Sequence, residues 1–382
     1  MLIIKKFVII ASLLLALLFA GCTDSTTSDG EVADLKVAYL PSDHDAPLFV
    51  AAEYPNVFKD EYGVYLQEVE NKKTYELYEN DKLVANVEFI KVIEGGAKIM
   101  TLMAQGQVDV GLNGVPPAVF SIDQGTNAKI VSPAQSEGSA IVIRSDIPAE
   151  TWDEFVVYIK EQADSGVQLK IGHPLPTSIQ YVMIKSALDT EGITYTENPN
   201  DKDAMVQLIN CKGQGTMPQL LSSNELDAVI AWEPTPEQLA VLGIGKSVIY
   251  SGDIPPAGMW VNHPCCVFVA SNDAVENKRE SVKAFLKLMA LANNEITANP
   301  KLAVNASAEW LGTDLEVEEL SIPNIGFTNE IGSLEAIGPE FVKVMDEQGA
   351  MTGQLAGLED AEEINAILYD FTLYNEIMEE IQ

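Results

Sequence analysis

The chain has 382 residues, of which 47% are hydrophobic and 21% charged. This composition excludes an intrinsically disordered chain, because enough apolar surface can be buried to offset chain entropy, and the length predicts two lobes of about 150 residues each. Lys and Arg total 23 against 57 Asp and Glu, a net charge of −34. That balance argues against nucleic-acid binding, which needs a basic surface, and predicts a self-repelling monomer.

The N-terminal region has the pattern of an export signal. Met1–Lys6 carries two lysines, Phe7–Ala20 is an unbroken apolar run, and Gly21 and Cys22 follow. This pattern predicts a signal peptide over residues 1–21, since the apolar run is short for a permanent membrane span. Residues 19–22 resemble the lipobox of exported lipoproteins, which implies a lipid on Cys22; cleavage as an ordinary signal peptide is the alternative. The polar residues that follow predict a lipid-anchored tether over 22–33.

The first block of predicted elements alternates strands and helices. A strand at Lys36–Leu40 precedes a helix at Leu48–Tyr54, and Glu68–Ile93 predicts two strands around a turn at Asn80-Asp81. The block continues with a helix at 97–105, a strand at 108–112, a helix opened by Asn113–Pro117, and strands at 129–131 and 140–143.

A second block repeats this alternation. It comprises a helix at 152–162, a strand at 167–172, a helix at 179–188 capped by Thr177 or Ser178, a strand at 226–232, a helix at 237–242, and strands at 247–250 and 265–270. From Ser281 to Gln382 the pattern is mostly helical. The two blocks predict an α/β fold of two lobes, with parallel-rich sheets and flanking helices.

Four proline-bearing turns follow predicted strands, where ligands bind in open α/β sheets. They are Pro41–Pro47, Asn113–Pro117, His173–Ser178 and Trp232–Pro236. These turns, and the only three histidines of the chain, give the candidate ligand-binding residues: Ser42, Asp43, His44, Ala46, Pro47, Asn113, Gly114, Val115, His173, Thr177, Ser178, Trp232, Glu233 and His263. Neither arginine of the chain lies in these turns, so we expect no bidentate arginine clamp on an anion.

Motifs of enzyme chemistry are missing from the sequence. It contains no GxSxG, P-loop, HExxH or GxGxxG pattern. Asp109 and Asp227 each lie in a similar polar turn just before a predicted strand. We interpret both as residues of a turn that starts a strand, in preference to a catalytic role. We therefore expect a binding protein that is not an enzyme and carries no cofactor.

Three cysteines, an odd number, follow Cys22 in the sequence: Cys211, Cys265 and Cys266. Neighbouring residues of a strand point to opposite faces, so Cys265 and Cys266 are expected to diverge. We interpret all three as small buried hydrophobic residues, with a pairing of Cys211 to either neighbour left open. Without a CxxC pair, no metal site is expected.

Five segments, in order, resemble the nitrate/sulfonate/taurine class of substrate-binding proteins of ABC transporters. Tyr39–Ala51, Gly95–Gly111, Gly172–Gln180, Asp227–Pro234 and His263–Ala270 carry the resemblance. The resemblance implies the type II periplasmic-binding-protein-like fold, with two crossover hinge strands that we assign to Ala140–Arg144 and Cys265–Ser271. It implies a first lobe over 34–138, a second over 139–262, and a return to the first over 263–382, whose helical tail and the 65–90 segment depart from compact members.

The resemblance also implies a function. The protein would be the extracytoplasmic solute-binding component of an ABC importer, lipid-anchored to the cytoplasmic membrane at the cell surface or in the periplasm, and it would deliver a small solute to a permease and ATPase. An enzyme resembling a thiamine-pyrimidine synthase, or a ligand sensor on the same scaffold, is the alternative.

Among solutes of that class we expect a small anion or zwitterion, a sulfonate first and nitrate or bicarbonate next. Because the protein is acidic, affinity must come from short-range donors: helix N-termini at Asn113–Val115 and Thr177–Ser178, and His44 and His173 from opposite lobes. Trp232 would wall the cleft. The competing possibility is that the histidines, with Asp43 and Asp45, hold a metal that in turn holds the solute.

Overall fold

The computed structural model describes residues 32–381 and contains two β-sheets in this range. The predicted signal peptide, Cys22 and the tether up to residue 31 lie outside the described residues. The strands are β1 Ala33–Tyr39, β2 Val64–Glu70, β3 Thr74–Glu79, β4 Lys82–Lys91, β5 Val110–Gly114, β6 Ala128–Glu137, β7 Ser139–Arg144, β8 Leu169–His173, β9 Tyr195–Thr196, β10 Val206–Asn210, β11 Ala228–Trp232, β12 Gly245–Tyr250, β13 Pro264–Ser271 and β14 Ile325–Phe327.

Helices flank both sheets. They are α1 Ala46–Glu53, α2 Pro55–Tyr62, α3 Gly96–Ala104, α4 Val115–Asp123, α5 Trp152–Asp164, α6 Ile179–Thr190, α7 Met217–Ser222, α8 Thr235–Val241, α9 Asn272–Asn277, α10 Arg279–Ala298, α11 Lys301–Ser307, α12 Leu315–Ser321, α13 Gly332–Glu347, α14 Ala361–Leu368 and α15 Thr372–Ile381. Within the described range, no helix combines the length and apolar composition that crossing a bilayer requires.

The first sheet has eight strands in the order β14-β6-β13-β5-β1-β4-β3-β2. Strand β1 pairs in parallel with β4 and β5, whereas the outer pairs are antiparallel. The predicted turn at Asn80-Asp81 is present: both residues have positive φ, 51° and 60°, as a two-residue hairpin requires. This turn makes β3 and β4 antiparallel. Strand β2 precedes them and pairs antiparallel with β3, so the 65–90 segment contains three strands where two were predicted.

The second sheet has six strands in the order β12-β7-β11-β8-β10-β9. Strands β8 to β11 pair in parallel, and β7 is antiparallel to both β11 and β12. Both sheets are therefore mixed, and the parallel-rich expectation holds only for their central strands. The body built on each sheet is called the first and the second lobe below.

The chain passes between the sheets at two places. Strand β6 of the first sheet ends at Glu137 and β7 of the second begins at Ser139, so Gly138 makes the first passage; residues 251–263 make the second. Both strands assigned as crossovers lie wholly within one sheet, Ala140–Arg144 in the second and Cys265–Ser271 in the first. The change of sheet occurs just before each strand. At the first passage Gly138, at φ 77°, separates β6 from β7.

Residues after Ser281 are mostly helical, as predicted, and they complete the first lobe. The Trp310 ring stacks on Phe49 with centroids 5.0 Å apart, and its Nε1 donates to the Tyr39 hydroxyl at 3.2 Å. Helices α10 and α15 are joined by ion pairs of Arg279 with Glu376 and of Lys283 with Glu380. The C-terminal segment is therefore part of the core that supports β1 and the turn after it.

Asp109 and Asp227 hold equivalent positions in the two lobes. Asp109 accepts the Lys36 amide at 2.8 Å and pairs with the Lys278 ammonium group at 2.8 Å. Asp227 accepts the Lys170 amide at 2.8 Å and pairs with the Arg144 guanidinium at 3.1 Å. Each carboxylate thus ties the start of one strand to its neighbour, which confirms the structural interpretation of both residues.

Candidate functional site

A cavity of about 40 Å³ lies between the two lobes. We call it the interlobe cleft and define it by its lining: Leu40, Ser42, His44, Gly96, Gly114, Pro117, Cys265 and Cys266 from the first lobe, and Leu175, Thr177, Ser178, Ile179, Gln180 and Trp232 from the second. Within the described residues, no lysine or arginine lines it. A solute in this cleft would contact both lobes and would meet no lysine or arginine side chain among the described lining residues.

The first wall is shaped by the turn after β1. The Asp45 carboxylate accepts the Leu40 amide at 3.2 Å through one oxygen and the Ser42 hydroxyl at 3.2 Å through the other. Asp45 is fully buried, and this burial raises the pKa of its carboxyl well above the usual value. The Asp45 side chain therefore fixes the turn that carries His44 into the cleft. Both carboxylate oxygens of Asp45 are already used in these hydrogen bonds.

His44 lies against both neighbouring cysteines. Its Nε2 donates to the Gly138 carbonyl at 2.8 Å, and its Nδ1 lies 3.6 Å from the Cys265 sulfur and 3.7 Å from the Cys266 sulfur. The prediction that the two cysteines point to opposite faces is wrong. The pairing of β13 with β6 is irregular on both sides of Cys266, and a bulge of this kind turns neighbouring side chains toward one face.

The two thiols differ in acidity because they contact each other. The hydrogen bond from the Cys266 thiol lowers the pKa of Cys265 well below its usual value, with His44 and His263 contributing. The same contact, with burial, raises the pKa of Cys266 well above its usual value. Cys211 lies in a separate cluster of the second lobe, and the described cysteines are all free. No pairing of Cys211 with either neighbour is present among them.

The second wall begins where α6 begins. Pro174 and Pro176 lie in the preceding turn. Ser178 caps the helix: its hydroxyl accepts the Tyr181 amide at 3.2 Å and donates to the Leu175 carbonyl at 2.8 Å. The first amides of a helix have no intrahelical partner. The Ile179 and Gln180 amides are therefore available to an anionic or polar solute, whereas the Ser178 hydroxyl is committed to the cap.

Trp232 closes the cleft at the end of β11. Its amide donates to the Gln214 side-chain oxygen at 2.6 Å, and its carbonyl accepts the Gln214 side-chain nitrogen at 3.0 Å. The same nitrogen donates to the Thr235 hydroxyl at 2.9 Å. Gln214 is a positioning residue that the sequence did not reveal, because its distance in sequence from Trp232 hides their contact.

The structure places only some of the predicted residues in the cleft. Ser42, His44, Gly114, Thr177, Ser178 and Trp232 line it; Asp43, Ala46, Pro47, Asn113, Val115, His173, Glu233 and His263 do not. Eight further residues line the cleft without having been predicted: Leu40, Gly96, Pro117, Leu175, Ile179, Gln180, Cys265 and Cys266. Pro117 and Leu175 lie inside the predicted turns, and Leu40, Ile179 and Gln180 flank them, so the turns themselves were the signal.

His173 and His263 are both buried beneath the surface of the cleft. His173 packs on the Tyr181 ring with centroids 4.5 Å apart, and neither of its ring nitrogens has a hydrogen-bond partner within the described residues. Burial lowers the pKa of His173 to about 4. His263 donates from Nδ1 to the Trp260 carbonyl at 2.8 Å. Neither ring lines the cleft, because both are buried at strand ends.

Four further predicted residues are used for packing. Ala46 and Pro47 are buried in the first turn of α1, and Val115 is buried in that of α4. The Asn113 side chain donates to the Gly96 carbonyl at 3.3 Å. Prolines 116 and 117 remove two amides from the first turn of α4, so this helix offers fewer donors than predicted.

Asp43 belongs to a buried acidic contact on the first lobe. Its carboxyl group accepts the Ser321 hydroxyl and contacts the carboxyl group of Glu318. Burial, followed by the charge of Glu318, raises the pKa of Asp43 well above its usual value. Asp43 therefore joins the turn after β1 to the C-terminal helices, and it does not line the cleft.

Glu233 forms part of the contact between the lobes. It accepts the Asn324 side-chain nitrogen at 2.8 Å, and Glu237 accepts the same nitrogen at 3.3 Å and the Tyr250 hydroxyl at 2.6 Å. Burial, followed by the charge of Glu237, raises the pKa of Glu233 well above its usual value. Since Asn324 belongs to the first lobe, these bonds link the lobes beside the cleft.

Solved structures resemble this fold across most of the chain. A ligand-binding component of an ABC-type import system from Staphylococcus aureus, with zinc bound, has a TM-score of 0.69 at 16% identity, covering 90% of this chain and 99% of that one. The nitrate-binding protein of Synechocystis has a TM-score of 0.67 at 14% identity, covering 92% and 90%. The alkanesulfonate-binding protein of Xanthomonas axonopodis pv. citri, bound to MOPS, has a TM-score of 0.63 at 12% identity, covering 87% and 98%.

These likenesses confirm the predicted α/β class and the periplasmic-binding-protein-like fold. An uncharacterized protein of Methanocaldococcus jannaschii is 53% identical over 135 residues, which are 35% of this chain and 92% of that protein. A sequence model of the NMT1-like family matches residues 28–312, well over half of the chain. The resemblance inferred from the five segments is therefore confirmed, and the chain belongs to the NMT1-like family.

Proposed function

We propose that this protein is the solute-binding component of an ABC importer and that its solute binds in the interlobe cleft. The observation that carries the proposal is a cavity whose opposing walls come from two lobes joined at only two passages. Structural neighbours of this fold include an alkanesulfonate-binding protein and a periplasmic nitrate-binding protein. The absence of lysine from the described lining argues against a pyridoxal-phosphate enzyme on this scaffold, and we propose a role without catalysis.

The solute class follows from the donors in the cleft. The Ile179 and Gln180 amides lie at the positive end of the α6 dipole, which favours a small anion or the anionic end of a zwitterion. A sulfonate remains our first choice, with nitrate and bicarbonate next.

Partners and location complete the proposal. A permease and an ATPase would receive the solute, and a lipid on Cys22 would hold a monomer at the outer face of the cytoplasmic membrane. Replacement of Cys22 by alanine should release the protein from the membrane fraction. A variant that stays in that fraction after a salt wash would contradict lipid anchoring.

Closure of the lobes would accompany binding, because a solute that contacts both lobes stabilises the state in which they approach. Small-angle scattering of the protein at saturating solute should show a smaller radius of gyration than without it. An unchanged radius at saturation would refute closure.

The binding test uses the tryptophan that lines the cleft. Mass spectrometry of small molecules released from the purified full chain should identify a sulfonate or a related anion, and titration with it should change the Trp232 fluorescence. The Trp232→Phe variant should lose this response, whereas Trp152→Phe, a buried control in the same lobe, should keep it. A response that disappears in Trp152→Phe and persists in Trp232→Phe would place the solute elsewhere and overturn the proposal.

A further inference from the structure

We propose that His44, Cys265 and Cys266 form a zinc site in the interlobe cleft. The ligating atoms of the three side chains lie within 4.8 Å of one another. The residues are 3%, 2% and 7% exposed, so their donor atoms face each other rather than bulk water. One imidazole and two cysteine sulfurs are ligands that Zn²⁺ prefers and that Ca²⁺ and Mg²⁺ avoid.

The tautomer of His44 leaves one nitrogen free for a metal. Nε2 faces the Gly138 carbonyl, which only accepts, so Nε2 carries the proton in the neutral ring. The lone pair of Nδ1 then points toward the two sulfurs. Metal-ligating histidines commonly donate their second nitrogen to a carbonyl in this way, because that bond fixes the ring orientation.

The spacing fits a tetrahedral zinc centre. With Zn–S about 2.3 Å, Zn–N about 2.0–2.1 Å and an angle of about 109°, the sulfur and nitrogen atoms should lie about 3.6 Å apart. The observed separations of His44 Nδ1 are 3.6 Å from Cys265 and 3.7 Å from Cys266. The irregular pairing of β13 at Cys266 brings both sulfurs to this face, which a regular strand would not do.

Charge favours the same assignment. Two buried thiolates alone are costly, whereas Zn²⁺ with two thiolates and a neutral imidazole is a neutral centre. All three residues line the cleft, so the fourth coordination position opens toward the cavity. Zinc with three protein ligands keeps that position for water or a substrate. In a lining without lysine or arginine among the described residues, the metal would supply the electrophile that holds an anionic solute; this last step rests on the solute-binding role proposed above.

Gly138 supports the site from behind His44. A Cβ atom at residue 138 would lie 2.6 Å from His44 Nε2, and the φ of 77° disfavours any other residue there. The backbone that breaks the strand between the lobes is therefore also the group that orients the imidazole.

The test is metal binding by the full chain, kept reduced with a phosphine that does not ligate zinc as a thiol would. Zn²⁺ should bind at one equivalent, and Co²⁺ in its place should give the near-ultraviolet absorption of thiolate-to-cobalt charge transfer. The Cys265→Ser, Cys266→Ser and His44→Ala variants should each weaken Zn²⁺ binding by more than about 100-fold, the upper cost of losing a supporting residue. The Cys211→Ser control should match the wild type in both measurements.

A second measurement needs no variant. Zn²⁺ should protect the peptide that contains Cys265 and Cys266 from alkylation in the wild-type chain, while the alkylation of Cys211 stays unchanged. Equal alkylation of that peptide with and without Zn²⁺, or wild-type zinc affinity in the cysteine variants, would overturn the site. Oxidation of the two thiols to a disulfide that resists the reductant would also overturn it.

The zinc site and the solute-binding role can fail separately. Binding of the identified solute that survives exhaustive chelation would overturn the metal's part in holding it, and would leave the importer role intact. One equivalent of zinc in a protein that binds no tested anion would support the site and contradict the proposed function.

Discussion

His173 allows the structure to be tested by pH. The ring is 0% exposed, and burial lowers its pKa to about 4 from 6.5. Because the folded pKa is the lower one, the stabilising contribution of the neutral ring is fully present above pH 6.5 and is lost as pH falls toward 4. At 1.36 kcal/mol per pKa unit, the loss amounts to about 2 kcal/mol at pH 5 and about 3 kcal/mol at pH 4.

The His173→Phe variant isolates this contribution. Phenylalanine keeps an aromatic ring against Tyr181 but does not titrate, and His173 makes no side-chain hydrogen bond that the change would remove. Urea unfolding of both proteins at pH 7 and pH 5 should show that the variant gains about 2 kcal/mol relative to the wild type at the lower pH. The contributions of other titrating groups to the free energy of unfolding are the same in both proteins, so they cancel in this difference.

Parallel stability curves for the two proteins between pH 7 and pH 5 would refute the reasoning. That result would mean that His173 is hydrated or partnered in solution, as a histidine in the cleft would be. A solute affinity reduced in His173→Phe without any change in pH dependence would restore the direct contact that the sequence analysis expected.

Three further predictions concern the walls of the cleft and the contact between the lobes. Ser178→Ala should lower the free energy of unfolding by about 1 kcal/mol in urea titrations through loss of the helix cap, whereas Thr177→Ala should not. Unchanged stability with weakened solute binding would show that the Ser178 hydroxyl is not used by the cap. Glu233→Gln should raise the melting temperature at pH 7, because the raised pKa of Glu233 means that ionising its carboxyl group destabilises the folded protein. The contribution of Glu233 to stability is greatest at low pH and is lost as pH rises, so the gain from the substitution should vanish in acid. A gain that persists in acid would contradict this origin. Gln214→Ala should weaken solute binding and lower stability by about 1–3 kcal/mol, since the amide of Trp232 loses its partner, and wild-type values in calorimetry would exclude this positioning role.

The sequence by itself determined the class of the fold. Alternating apolar patterns place strands and helices close to their observed positions, and the Asn80-Asp81 turn was predictable because these residues tolerate positive φ. The ordered family segments, of which Asp227–Pro234 is one, identified the family. These patterns depend on residues close in sequence or on their order along the chain, so they can be recognised without knowing which strands are neighbours.

Tertiary structure decided which turn residues face the cleft. His173 and Ile179 belong to the same turn and helix start, yet His173 is buried and the first amides of the helix line the cavity. The direction of a side chain at a strand end depends on the helices that pack against the sheet there. The approach of Cys265 and Cys266 to His44, 221 and 222 residues away, could not be predicted. It depends on an irregular strand pairing and on the passage at Gly138, which only the assembled sheets create.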